Sequence, residues 1–241
     1  MHFLNRVHRL TKATLIICGV SLVAFQAAAQ VAPQAKGIES EGYEWNKMEG
    51  GEKQLALTLK GDLENGEEAY EICSGCHLHS GAGRPDGTFP QLAGQHPSVI
   101  IKQIADIRAG RRDNPIMYPF AQSLSDQQEL ADVSAYIQTL PIPTDNGKGP
   151  GTNLEEGKML YDRDCVKCHG ANGEGDSEKF FPVLAGQHYK YMLRQIGDIA
   201  EGRRRNANPD MVKIVKEYTP EQQSAVVDHM SRLTWPERSK K

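Results

Sequence analysis

Two stretches of the chain carry apolar residues at helical spacing and in the same order. The first helical face of each stretch comprises Leu63, Gly66, Ala69 and Tyr70 in one and Leu154, Gly157, Leu160 and Tyr161 in the other. A second helical run follows His96 in the first stretch and His188 in the second. Apolar residues at intervals of three and four predict amphipathic helices, and no alternating run of useful length predicts a strand. The pattern therefore predicts an all-α protein.

The last helix of each stretch has a start signal of its own. Ser125 precedes Gln128 by three residues, and Thr219 precedes Gln222 by the same interval. A hydroxyl residue followed three places later by glutamine fits a capping box, in which both side chains satisfy free backbone N–H groups of the first turn. Pro220 also fits the first helical position, where a missing N–H leaves no hydrogen bond unmade.

The two stretches are copies of one unit. Residues 89–112 and 181–204 are identical at 14 of 24 positions with a constant offset of 92. Between the copies lies a Pro- and Gly-rich segment, which is typical of a linker. Duplication of this kind predicts two domains of one fold. The predicted parts are a first domain at 61–140, a linker at 141–153, a second domain at 154–235 and a basic tail at 236–241.

Residues 1–29 have the order of a secretory signal, with basic residues first, then an apolar run and then small residues before a cleavage point after Ala29. The alternative is an uncleaved membrane anchor, but the apolar run has about 13 residues where about 20 are needed to span a bilayer. The sequence therefore predicts export. Residues 30–60 have no counterpart in the second copy. We expect them to form a partly disordered arm that lies on a domain, with Tyr43 and Trp45 as its main apolar anchors. A partner-docking segment is the alternative.

Four of the five cysteines fall into two clusters that match across the repeat. The clusters are Cys73-Ser74-Gly75-Cys76-His77 and Cys165-Val166-Lys167-Cys168-His169. C-x-x-C-H is the attachment signal for c-type haem. Two thiols three positions apart can each add to a vinyl group on one haem edge, and the next residue, histidine, can turn its imidazole onto the iron. The sequence thus predicts two covalently bound haem c groups, with the cysteines as thioethers and both histidines as iron ligands.

Other uses of paired cysteines fit less well. Zinc takes four ligands, and a site built from both cysteine pairs would leave the paired histidines unexplained. A thioredoxin-like disulfide expects a βαβ context, which the helical pattern does not provide.

The charge balance excludes one class of partner and distinguishes the copies. The chain has 28 basic and 31 acidic residues, so no basic excess indicates nucleic acid. Residues 62–140 hold 11 acidic and 5 basic residues, a net charge of −6, whereas residues 154–241 hold 14 and 15, a net charge of +1. Such asymmetry either steers the two ends toward different partners or is simply a solvated surface.

The spacing beyond each C-x-x-C-H resembles that of class I cytochromes c. Pro-x-Leu follows each cluster, and a methionine comes about 40 residues after the histidine. The resemblance implies that the carbonyl groups of Pro90 and Pro182 accept hydrogen bonds from His77 and His169, one in each copy.

Two pairs of equivalent residues are candidates for the sixth iron ligands. Beyond residue 29, Met117 and Met211 are the methionines that occupy equivalent places, each following Asn-Pro-x. His96 and His188 are also equivalent and are the alternative. The resemblance favours the methionines, and a methionine ligand raises the haem potential.

Two arginine pairs recur after the second helix of each copy, Arg111-Arg112 and Arg203-Arg204. A guanidinium presents a donor fork suited to the carboxylates of haem propionates. The same arginines would equally suit the C-terminal end of a helix dipole. The sequence leaves both roles open.

The tandem arrangement, with Leu-Ala-Gly-Gln in each copy and the run Met117-Tyr118-Pro119-Phe120-Ala121, resembles the diheme cytochrome c4 family over residues 61–235. The resemblance implies a periplasmic, non-enzymatic electron carrier, often loosely membrane-associated, between redox donors such as a quinol-oxidising complex and an acceptor such as a terminal oxidase. This chain differs in its arm and in lacking a proline just after Met211. The alternatives are a haem subunit of a dehydrogenase complex and a diheme peroxidase, which would need an open iron position.

Overall fold

The computed structural model describes residues 33–46, 51–124 and 126–238, and within them helices are joined by turns, with one isolated bridge between Asp176 and Phe181 and no strand. The helices in chain order are α1 (Gly51–Thr58), α2 (Leu63–His77), α3 (Pro97–Arg108), α4 (Tyr118–Ser123), α5 (Gln127–Thr139), α6 (Leu154–Asp164), α7 (Val166–His169), α8 (Tyr189–Ala200), α9 (Pro209–Val215) and α10 (Pro220–Met230). The predicted all-α architecture is confirmed. Over the same residues, no helix is both long and apolar enough to cross a bilayer. The predicted signal segment lies outside the described residues.

Each copy is built around a crossing of its first and last helices, α2 with α5 and α6 with α10. Gly66 and Gly157 occupy equivalent places in these crossings. A Cβ added at Gly66 would lie 2.2 Å from the carbonyl oxygen of Asp132, and one at Gly157 would lie 2.1 Å from that of Ala225. The glycines therefore allow the two backbones to approach closely.

We expect Gly66→Ala to destabilise the first copy by about 1–3 kcal/mol, because the new methyl group would force the two helix backbones apart. The measurement is denaturant unfolding of the haem-loaded protein. Gly197→Ala in α8 is the matched control, since its Cβ would meet open space and alanine already stands at the equivalent Ala105. Equal unfolding midpoints for the two variants would contradict this account of the crossing.

The inward helix faces of each copy form a separate hydrophobic core. The first core includes Tyr70, Ile101, Leu130, Val133 and Ile137, and the second includes Tyr161, Met192, Ile196, Val226, Val227 and Met230. The equivalent tyrosines donate their hydroxyl groups to carbonyl oxygens just beyond the cysteine clusters, Tyr70 to Leu78 at 2.9 Å and Tyr161 to Gly170 at 2.7 Å. These bonds attach each cluster to its core.

The helix that carries the cysteine cluster is continuous in the first copy and broken in the second. Helix α2 runs unbroken through Cys73 and Cys76, whereas the second copy breaks at Cys165 into α6 and α7. The second copy has one extra residue at this place, since Tyr161 precedes Cys165 by four positions and Tyr70 precedes Cys73 by three. The turn that holds each C-x-x-C-H stays helical in both copies.

The last helix is capped by the predicted residue in the second copy and by the residue after the predicted one in the first copy. Thr219 and Gln222 form the predicted capping box, and Pro220 is the first residue of α10. Helix α5 is instead capped by Asp126, whose carboxylate accepts from the N–H of Gln128 at 2.9 Å. Ser125, the predicted cap, lies outside the described residues.

The arm lies on both copies. Tyr43 donates its hydroxyl to the carbonyl oxygen of Ala207 at 3.1 Å, and the Trp45 ring stacks on Phe181 with centroids 5.8 Å apart. The Gln34 side chain accepts from the guanidinium of Arg205, in the second copy, at 2.6 Å and donates to the carboxylate of Asp113, in the first copy, at 3.4 Å. The sequence identified the two aromatic anchors but not helix α1, which lies in the second half of the arm.

Candidate functional site

One cavity of about 1230 Å³ is lined by residues of both copies. Ligand pockets commonly measure about 300–1,000 Å³, so the cavity has room for more than one large cofactor. Its walls are largely apolar, with Ile100 and Ile104 of α3 facing it from the first copy and Ile196 and Ile199 of α8 from the second. Among the predicted site residues its lining includes Cys73, His77, Pro90, Met117, Cys165, Cys168, His169, Pro182 and Met211.

The imidazole rings of His77 and His169 each have one nitrogen, Nδ1, beside a backbone carbonyl oxygen. His77 Nδ1 lies 2.8 Å from the carbonyl oxygen of Pro90, and His169 Nδ1 lies 3.2 Å from that of Pro182. A carbonyl oxygen only accepts, so each Nδ1 carries the hydrogen and each Nε2 keeps a free lone pair. Burial lowers the pKa of both imidazoles and outweighs the carbonyl groups, which raise it. Both rings are therefore neutral. A histidine that binds a metal ion usually has its other ring nitrogen bonded in this way to a backbone carbonyl or a carboxylate.

The first cysteine of each cluster is held as a neutral thiol. All four described cysteines are free. Burial, and then the neighbouring Cys76, raises the pKa of Cys73 to about 11; burial, and then Asp164, raises that of Cys165 to about 12. The thiols of these two residues stay protonated at neutral pH. In the described residues no three or more His, Cys, Asp or Glu side chains are grouped as a metal-ion site would need.

The two methionines lie differently in their loops but both line the cavity. Met117 is the residue before α4, whose early Pro119 sets the start of the helix, whereas Met211 lies inside α9, which starts at Pro209. Both copies have a proline two residues before the methionine, Pro115 and Pro209, but only Pro209 begins a helix that contains the methionine. Both side chains are half-buried against their own copy's apolar residues.

The alternative ligands, His96 and His188, do not line the cavity. Each bonds across the boundary between the copies, His96 Nε2 to the carbonyl oxygen of Glu174 and His188 Nε2 to that of Ala82, both at 2.8 Å. His188 Nδ1 also accepts from the N–H of Gly147 at 3.0 Å. These histidines hold the copies together, which sequence reasoning did not foresee.

Two equivalent glutamines complete the same boundary. Gln95 accepts from the N–H of Val183 at 2.9 Å and donates to its carbonyl oxygen at 3.1 Å. Gln187 does the same with Gln91, at 3.0 and 2.9 Å. The same pair of hydrogen bonds therefore occurs twice at the boundary, once from each copy, as in a contact with approximate two-fold symmetry. The repeated Leu-Ala-Gly-Gln was the sequence signal for this contact.

We expect Gln187→Leu to lower the free energy of unfolding by about 1–3 kcal/mol, because it leaves the buried N–H and carbonyl of Gln91 unpaired. Thermal unfolding of the haem-loaded protein measures the effect. Gln127→Leu is the control, since that half-buried side chain makes none of the four glutamine hydrogen bonds at the boundary. A loss no larger than that of the control would mean that the boundary does not depend on this glutamine.

A family model described as Cytochrome c matches the chain twice, over residues 63–141 and 154–234. The chain belongs to the cytochrome c family. This cytochrome is 34% identical over 173 residues to cytochrome c4 of Azotobacter vinelandii, covering 63% of the chain and 79% of that protein. It is 30% identical over 199 residues to the thiosulfate dehydrogenase electron acceptor of Stutzerimonas stutzeri (strain A1501), covering 74% and 91%.

The crystal structure of reduced recombinant cytochrome c4 from Pseudomonas stutzeri superposes with a TM-score of 0.63 at 28% identity, covering 72% of this chain and 99% of that one. The cytochrome is thus a tandem, cytochrome c4-like protein with two covalent haem c groups, and it carries electrons. When bound, each haem supplies an iron that changes between the ferric and ferrous states. The neutral histidines, protonated thiols and apolar walls of the cavity fit that group.

Proposed function

We propose that this cytochrome is exported to the periplasm and carries electrons from a quinol-oxidising complex or a dehydrogenase to an acceptor such as a terminal oxidase. The observation that supports this most is that residues of both C-x-x-C-H clusters, including His77 and His169, line the same cavity. Two irons placed in one interior allow an electron accepted through one copy to leave through the other. We also propose domain limits of 61–140 and 154–235, which the two family matches support.

We further propose His77 with Met117, and His169 with Met211, as the axial ligands. The carbonyl bonds of the two histidines and the cavity-facing methionines support this assignment. With both axial positions filled, neither iron would have a free position for peroxide. This assignment therefore argues against the peroxidase alternative, which needs an open iron position. Turnover with hydrogen peroxide by the purified protein would favour that alternative.

The two ends of the carrier differ in charge. Helix α2 presents four exposed glutamates, Glu64, Glu67, Glu68 and Glu71, beside the first cysteine cluster. The equivalent face of α6 has Lys158 paired with Asp162 and the exposed Met159 at the place of Glu68. Complementary charge raises association rates in a salt-dependent way. We expect the first copy to meet a basic partner.

The test follows electron transfer from the reduced cytochrome to membranes that contain its terminal oxidase, at several salt concentrations. Glu68→Lys should slow the reaction and weaken its salt dependence, whereas Met159→Lys at the equivalent position of the second copy should change neither. Equal effects of the two variants would contradict a docking role for the acidic helix. Sequencing the N-terminus of the protein from a periplasmic fraction tests export, with a start at Gln30 expected.

A second candidate is a haem subunit fixed to a dehydrogenase. The contacts of Gln34 and Tyr43 of the arm with the two copies and the name of the thiosulfate dehydrogenase relative favour it. Co-purification with a larger partner at high salt would support this candidate, and recovery of the free cytochrome would support the mobile carrier.

A further inference from the structure

One residue of the arm, Trp45, forms part of the wall of the shared cavity. Its ring stacks on that of Phe181, with the centroids 5.8 Å apart and the ring planes inclined by 21°. The Phe181 ring in turn has its centroid 6.3 Å from that of the His169 imidazole. Pro182, whose carbonyl oxygen lies 3.2 Å from His169 Nδ1, follows Phe181 directly in the chain. The indole is therefore a second aromatic layer beside the hydrogen bond of the second cluster histidine.

The first copy has a different neighbour at the equivalent place. Phe89 is the counterpart of Phe181, and its ring centroid lies 6.1 Å from that of His77. The guanidinium of Arg84, an exposed side chain, lies over the Phe89 ring at 5.8 Å from its centroid. The two cluster histidines thus share an aromatic neighbour that is covered by an indole in the second copy and by a water-exposed cation in the first.

Contacts with both copies hold the arm in this position. The ammonium group of Lys102, in α3 of the first copy, lies 5.4 Å from the centre of the Trp45 ring, which is a cation–π distance. Lys102 is almost fully buried and forms an ion pair with Asp106, one helical turn further on. On the other side of the arm, the carboxylate of Glu39 pairs with Arg205 of the second copy at 2.7 Å. The indole is therefore held between a lysine of the first copy and a phenylalanine of the second.

Water beside an iron ligand changes the redox equilibrium of the iron. The ferric haem has one more positive charge than the ferrous haem, and water stabilises the more highly charged state. Burial and the local dielectric are among the features through which a protein sets a haem potential. An apolar ring that keeps water from the ligand therefore favours the ferrous state and raises the potential.

We propose that Trp45 raises the potential of the second haem by keeping water away from His169 and its bond to Pro182. The arm makes the two haems unequal through a contact that the repeat itself does not contain, since residues 30–60 have no counterpart in the second copy. Trp45 acts through Phe181 and His169, so it is a positioning residue and does not bind the iron. The proposal rests on His169 as an axial ligand, as proposed above, and not on the redox partners.

The first test is a redox titration of the haem-loaded protein, in which the haem methyl signals in the NMR spectrum report each haem separately. Trp45→Ala should shift the second haem about three- to tenfold toward the ferric state, a fall of roughly 30–60 mV for a one-electron couple. The first haem should keep its potential. Trp45→Phe leaves an apolar ring on Phe181 and should retain most of the wild-type potential.

The second test measures access of water directly. In the ferrous protein, the hydrogen on His169 Nδ1 should exchange with solvent about tenfold faster in Trp45→Ala than in the wild type, because local opening no longer has to displace the indole. The hydrogen on His77 Nδ1 should exchange at an unchanged rate. The same NMR signal tests the ligand assignment separately, since the haem ring current displaces it strongly only when His169 lies on the iron axis. An undisplaced signal in the wild type would contradict that assignment, whereas unchanged exchange and potential in Trp45→Ala would contradict the role of the indole alone.

Glu44→Gln is the matched control, because it changes the exposed neighbour of Trp45 in the same arm. It should lower neither potential and should leave both exchange rates unchanged. Equal falls in the two haem potentials of Trp45→Ala would overturn the proposal, since the indole would then have no particular effect on the second haem. If Trp45→Ala fails to take up two haems, Trp45→Gln keeps more of the side-chain volume and should still lower the potential of the second haem; an unchanged potential in that variant would equally overturn it.

Discussion

Replacing both Cys165 and Cys168 by alanine is expected to leave one haem c group per chain instead of two. The second cluster would keep His169 and its bond to Pro182, but no thiol would remain to form a covalent bond. Intact-mass spectrometry and haem absorbance of the purified chain measure the count. Because attachment is covalent, this loss should be complete rather than partial.

The equivalent change at Cys73 and Cys76 is the matched experiment and should remove the other haem. Ser74→Ala, within the first cluster, is the control and should keep both. A chain that still carries two covalent haems after loss of Cys165 and Cys168 would show that the second cluster is not an attachment site.

Replacing Met211 by alanine is expected to remove about half of the weak far-red iron–sulfur band of the ferric protein. It should also lower the potential of the second haem by an amount on the order of 0.2 V, within the roughly 0.8 V range that axial ligands set. The reason is that a thioether favours the ferrous iron more than water or a nitrogen ligand does. Absorbance spectroscopy combined with a redox titration gives both quantities.

Met117→Ala should do the same to the first haem, and Met159→Ala is the control, since that methionine is 58% exposed and does not line the cavity. His96→Gln tests the bis-histidine alternative and should leave the band unchanged. An unaltered far-red band in Met211→Ala would contradict the assignment of that ligand.

The parts of the fold that follow from local chemistry could be predicted from the sequence. The repeat predicts two domains of one fold, because a constant offset of 92 relates the two copies from the cysteine clusters to the arginine pairs. The capping box at Thr219 was visible since a cap involves residues three positions apart. The haem sites were visible for the same reason, because C-x-x-C-H is a local pattern.

The parts that depend on contacts between distant residues could not be predicted. Gln95 and Gln187 were recognised as identical residues, but their partners lie 88 and 96 positions away in the other copy. The choice between Arg111 and Arg112 depends on which side chain faces the cavity, and adjacent residues beyond a helix end give no periodicity to decide it. Helix α1 has no counterpart in the repeat, and Ala56 is its one buried residue.

The central claim is that two haem c groups are held with both axial positions filled by residues of this chain. An optical spectrum of the purified protein in its ferric and ferrous states tests this most directly. The account predicts two c-type haems per chain, low-spin in both states, with a far-red band in the ferric state of the strength expected for two methionine ligands. A single haem per chain, or a high-spin spectrum that reveals an open iron position, would contradict it.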